Sequence, residues 1–130
     1  GMRPGALVLS RVVSSPNDGI VTLDAGSKGL AAEAGDPVAK VLGRCNGAGA
    51  LDAMGPSEEH LPMRIRHNSS IGVGASSTAE LGLGRGTALW LFPRHICPTV
   101  NLYDHAVLVD NTSALNGSCA KTVPVDARGH

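Results

Sequence analysis

The chain has 130 residues, 42% of them hydrophobic and 17% charged, enough for one domain with one real core and too apolar for a disordered chain. Eleven Lys+Arg balance eleven Asp+Glu, so the electrostatic footprint of a nucleic-acid binder or membrane-surface protein is missing, and no apolar run approaches the ~18 residues of a bilayer span. Only Trp90, Phe92 and Tyr103 are aromatic, against 17 Gly and 8 Pro; stacking on bases or sugars is excluded as a major theme, and Val, Leu, Ile and Ala must build the core from short elements joined by turns.

Taken in order, residues 6–13 (ALVLSRVV) and 19–24 (GIVTLD) flank the turn-forming SSPND and predict a β-hairpin. Residues 27–34 (SKGLAAEA) predict a helix of two turns at best, capped by Ser27 and closed by Pro37. Residues 43–55 and 68–78, rich in Gly, Ser and Ala, read as long loops. Residues 62–66, 86–92, 105–110 and 118–125 are further strand candidates. No segment keeps a helical period for three turns and no repeat is visible. The expectation is a single mostly β domain over residues 1–130, a small β-barrel or closed sandwich with one or two short helices.

Cys45, Cys97 and Cys119 form an odd, widely spaced set, which is a poor disulfide framework. The N-terminus shows no secretory pattern, so the Asn-x-Ser/Thr matches at Asn68, Asn111 and Asn116 read as chance and the cytoplasm as the default location. Gly1 before Met2 resembles a tag remnant, with Met2 as the expected native start.

The stretch LFPRHICPTVNLYD, residues 91–104, holds the clearest chemistry. His95 and Cys97 are two apart, so on an extended chain both would face one side, and imidazole with thiolate suits zinc. Two protein ligands leave an open coordination sphere, as catalytic metals require. The same spacing also arises from a buried cysteine beside a hydrogen-bonded histidine. His60, in Ser57-Glu58-Glu59-His60, suits a third ligand, an orienting group or a proton shuttle, and equally a solvated loop histidine. Glu58 and Glu59 would face opposite ways on a strand and so would not act as a pair. Gly72-Val-Gly74 and Gly82-Leu-Gly84-Arg-Gly86 lack the strand-to-helix context of phosphate loops. Lys28 reads as a surface lysine.

Four segments then occur in a telling order: VTLDAGSK (21–28), SEEH (57–60), PRHICPTVNLYD (93–104) and VDARG (125–129). Together they resemble the C-terminal β-domain of the D-serine dehydratase / D-threonine aldolase family, over nearly the whole chain. The resemblance implies a divalent metal, zinc or manganese, held by His95 and Cys97 in the dehydratase-like His-x-Cys form, with His60 and Glu59 nearby as catalytic or supporting groups. It also implies a pyridoxal-phosphate barrel that carries the Schiff-base lysine, and no part of such a barrel is present in these residues. Lys28 belongs to the LDAGSK segment and takes no such role. The sequence departs from the family at Leu61, where Gly is typical, at Arg94, where Asn is usual, and around Thr122 and Val123, where a tryptophan is often found.

Three functions follow as expectations. The first is a metal-binding β-domain of a β-hydroxy D-amino acid lyase system, inactive alone and completed by a barrel-bearing partner. The second is a self-associating or small-ligand-binding module with a vestigial metal site, exposing the apolar face that once met a barrel. The third is a self-sufficient metal-dependent hydrolase or lyase using His60 as base.

Overall fold

The chain's first strand organises the rest. In the computed structural model, which describes residues 5–42, 51–66, 77–109 and 120–129, strand β1 (Val8–Asn17) is long enough to serve two ladders. Its first half pairs antiparallel with β6 (Ala88–Pro93), Val8 opposite Leu91. Its second half turns back into β2 (Ile20–Leu23), Val12 opposite Leu23. The register shifts twice between Val12 and Asn17, and such bulges let one strand bend from one ladder into the next. The turn is tighter than SSPND suggested. Asn17 pairs with Ile20, leaving Asp18 and Gly19 as the loop, with Gly19 at φ 112°, a conformation that favours glycine.

The remaining pairings are also antiparallel: β5 (Leu61–Ile65) on β2, β4 (Leu51–Ala53) on β5, and β3 (Ala39–Leu42) on β6. The resulting order is β3-β6-β1-β2-β5-β4, and the two end strands come alongside each other. The sheet is thus a nearly closed barrel, the mostly β architecture expected. Strand β7 (His105–Val109) and β8 (Ala120–Pro124) form a separate two-stranded ribbon, Val107 opposite Thr122.

Alternation fills the barrel. Leu61, Met63 and Ile65 point inward from β5 and Leu89 and Leu91 from β6, joined by Val12, Val21 and Leu23. Leu30, Val38, Leu81 and Leu83 plug it from the connecting segments. Ser10 is buried on this inward side, and its hydroxyl donates to Asp24 Oδ1 at 2.7 Å, so the burial leaves no unpaired polar group.

Three expectations need correction. Residues 27–34 form no helix: Gly29 and Leu30 N–H both donate to the Gly26 carbonyl, and the next turn, Gly35 N–H to the Ala32 carbonyl, is separate from it. Gly29 lies inside the segment, where glycine disfavours helix, and the N–H groups of Ser27 and Lys28 anchor it to the carbonyls of Ser57 and Glu58. The stretch 43–55 is not all loop, since β4 lies in it; residues 43–50, like 67–76 and 110–119, fall outside the described residues. The helix of the described residues is α1 (Ile96–Val100), so the extended backbone on which His95 and Cys97 would share a face ends at His95. Pro98 is compatible with the helix because the third helical position has no intrahelical N–H bond to lose.

Candidate metal centre

Position 26 shows why the LDAGSK segment is built as it is. A Cβ there would collide with the carbonyl carbon and oxygen of Glu58 and the amide nitrogen of His60. Only glycine admits this approach, and it lets Ser27 N–H reach Ser57 O at 2.8 Å and Lys28 N–H reach Glu58 O at 3.0 Å. The SEEH segment is itself a tight turn, with Ser57 N–H donating to His60 O at 2.9 Å. Because it is a turn and not a strand, Glu58 and Glu59 both reach Lys28, at 3.3 and 2.9 Å. The opposite-facing reading of those two carboxylates therefore fails. The hydrogen bonds that Lys28 donates to Glu59 and then to Glu58 raise the pKa of its ammonium. All three side chains are exposed, so this is a solvated ion-pair cluster of small energetic weight, and Lys28 is the surface lysine expected.

The same glycine-rich segment meets α1. Tyr103, just beyond the helix, donates its hydroxyl to Gly29 O at 2.9 Å. Thr99, almost fully buried, donates to His95 O at 2.7 Å and accepts from Ala31 N–H at 3.2 Å. On the other side, Val125 N–H donates to Asp104 O, Arg128 pairs with Asp104 at 2.7 Å, and Gly129 N–H donates to Asn101 Oδ1. The four sequence segments, scattered over a hundred residues of chain, are thus bonded into one rim of the domain.

His95 and Cys97 stand on this rim. His95 is the N-cap of α1, extended at φ −129° and ψ 106°, and its ring makes no capping bond to the helix. The ring goes instead to Glu33, Nδ1 to Oε1 at 2.5 Å. Cys97, the second residue of α1, is a free, exposed thiol, which rules out the buried-cysteine reading of the motif. Arg94, the residue that would oppose a neighbouring cation, has its guanidinium engaged by the Asp36 carbonyl at 2.7 Å.

The donor set fits a metal only as a half-site. With Nδ1 taken by a carboxylate, the free nitrogen of His95 is Nε2, and an exposed thiol follows two residues later, a nitrogen and sulfur pair suited to zinc. Among the described residues, no three His, Cys, Asp or Glu side chains gather closely enough to hold an ion. His60 and Glu59 therefore sit on the rim without joining His95 and Cys97 as ligands from within this domain. Glu33, Thr99 and Tyr103 were missed by the sequence reading. Their roles are contacts between distant segments, for which a single sequence carries no signal.

The comparisons with known proteins agree with this fold. The family model described as "Putative serine dehydratase domain" matches residues 5–109, and the chain belongs to that family. Among solved structures, D-threonine aldolase from Filomicrobium marinum superposes with a TM-score of 0.69 at 24% identity, covering 95% of this chain and 28% of that one. D-threo-3-hydroxyaspartate dehydratase from Delftia sp. HT23 gives 0.65 at 18% identity, covering 95% and 32%. A cysteine-to-alanine variant of D-threo-3-hydroxyaspartate dehydratase in its metal-free form gives 0.64 at 17%, again covering 95% and 32%. The present chain therefore spans about a third or less of the length of these structures. No curated protein matches it. No helix among the described residues is long and apolar enough to cross a membrane.

Proposed function

We propose that this chain is the metal-binding β-domain of a cytoplasmic β-hydroxy D-amino acid lyase system of the dehydratase or aldolase type. The pyridoxal phosphate belongs to a barrel outside these 130 residues, and the domain is inactive without it. The observation that carries the reading is the rim itself: His95 and Cys97 are both exposed where all four family segments converge.

His95 Nε2 and Cys97 Sγ would hold the ion, zinc or manganese. When bound, the ion supplies Lewis acidity toward the β-hydroxyl of the substrate. The chain's own residues do the positioning: Thr99 ties His95 to the 26–33 segment, and the Gly26 contact holds the turn that carries Glu59 and His60 against the same segment. Elemental mass spectrometry on the pure chain and on a His95→Ala/Cys97→Ala variant tests the assignment. Near one zinc or manganese per chain, lost in the variant, is expected. No metal in either protein after incubation with zinc overturns it, and pyruvate formation from D-serine by the pure chain overturns the claim of inactivity.

A second reading, a self-associating module, is favoured by one separate observation. Leu9, Trp90 and Leu42 lie side by side on the outer face of β1, β6 and β3, all exposed, with Phe92 two residues from Trp90. Contiguous exposed apolar side chains mark association surfaces. A monomer at high concentration in light scattering would remove this reading.

A further inference from the structure

We propose that Glu33 is a positioning residue for His95: its carboxylate holds the Nδ1 proton, so that Nε2 is the nitrogen offered to a metal. The inference rests on the reading of His95 and Cys97 as metal ligands and adds the group that prepares one of them.

A carboxylate only accepts, so in the contact between Nδ1 of His95 and Oε1 of Glu33 the ring nitrogen is the donor. The neutral ring then has its lone pair on Nε2. Left alone, an imidazole divides between two tautomers and turns about its side-chain bonds; the Glu33 bond selects one tautomer and one ring orientation. Ligating histidines generally donate their second nitrogen to a carboxylate or carbonyl in this way, and loss of that partner typically costs 10–100-fold in metal affinity.

The pairing is not a chance meeting of two long side chains. The backbones that carry them are joined independently by buried Thr99, which donates to His95 O and accepts from Ala31 N–H. The gap between Glu33 and His95 is therefore set by the fold before the side chains meet. Both side chains are about half exposed, 51% and 50%, so the pair contributes little to folding stability; its effect falls on which ring nitrogen carries the proton. The free N-cap position points the same way: the His95 ring makes no bond to α1 that would otherwise account for its orientation.

The test uses Glu33→Ala and Glu33→Gln, the latter keeping an acceptor oxygen, with two measurements. The first is zinc affinity by chelator competition. The second is the tautomer of the neutral His95 ring in the metal-free protein, from its ring-nitrogen chemical shifts, assigned with His95→Ala. Glu33→Ala should weaken zinc binding by about 10–100-fold and move the ring from the Nδ1–H form toward the Nε2–H form. Glu33→Gln should recover part of both effects, with the melting temperature unchanged throughout. Wild-type zinc affinity and an unchanged tautomer in Glu33→Ala overturn the proposal. A wild-type chain that binds no zinc overturns the metal reading instead, and the tautomer measurement then still decides whether Glu33 orients His95.

Discussion

Tyr103 is the chain's one tyrosine, and it joins the glycine-rich turn to the end of α1 through its bond to the Gly29 carbonyl. Burial first, and then the negative charge of Asp24, push its phenol above the usual value of 10.0. For an acid whose folded pKa is raised, the stabilisation is fully present below the unfolded-state pKa and is lost as pH rises through the folded one. The phenolate absorbance should therefore report a single midpoint above 10.0 in the folded protein and one near about 10 after denaturation. The domain should lose stability across that alkaline interval. Tyr103→Phe should abolish this alkaline loss and cost about 1 kcal/mol at neutral pH, read from denaturant unfolding. A tyrosine that titrates identically in both states would contradict the buried bond.

The elements divide into a packed barrel and an exposed ribbon, and substitutions should separate them. Leu61 on β5 is fully buried, so Leu61→Ala should cost about 2–5 kcal/mol. Val107 on β7 is 60% exposed, and Val107→Ala should stay within about 0.5 kcal/mol; equal losses in denaturant unfolding would show that the ribbon has a buried face after all. The strands that could be read in the sequence were those with runs of Val, Leu and Ile between turn residues: β1, β2, β5, β6, β7 and β8. The two that could not, β3 and β4, are three or four residues long and sit at the ends of the sheet, where pairing with a neighbour and not composition decides the structure. The helix was expected in the wrong place for a related reason. SKGLAAEA has helical residues but carries Gly29 inside it and closes only separate single turns, while ICPTV has two β-branched ends yet closes a turn under Thr99. Site chemistry followed the same division. His95, Cys97, His60 and Glu59 were legible as residue types within motifs, whereas Glu33 and Thr99 acquire meaning only when segments some sixty residues apart are folded together.

For the whole molecule, the outer face of β3-β6-β1 carries exposed apolar side chains of the kind association surfaces use. Trp90 is the chain's one tryptophan and lies at its centre, 47% exposed. Its fluorescence is expected to be that of a solvated indole in the dilute chain and to shift to the blue when the face is covered. Trp90→Lys should abolish any self-association seen by light scattering while leaving unfolding almost unchanged; oligomers that persist in this variant would place the contact elsewhere. The double duty of β1 has a kinetic consequence. Its hairpin with β2 is local and can form within microseconds, but Val8 must wait for Leu91 before the other ladder exists. On a ribosome the first half of β1 stays without that partner until β6 has emerged, with Leu9 uncovered throughout. Refolding should accordingly fall in the slow, millisecond-to-second class of chains dominated by distant pairings, and the rate-limiting event is the meeting of the two ends of the barrel sequence.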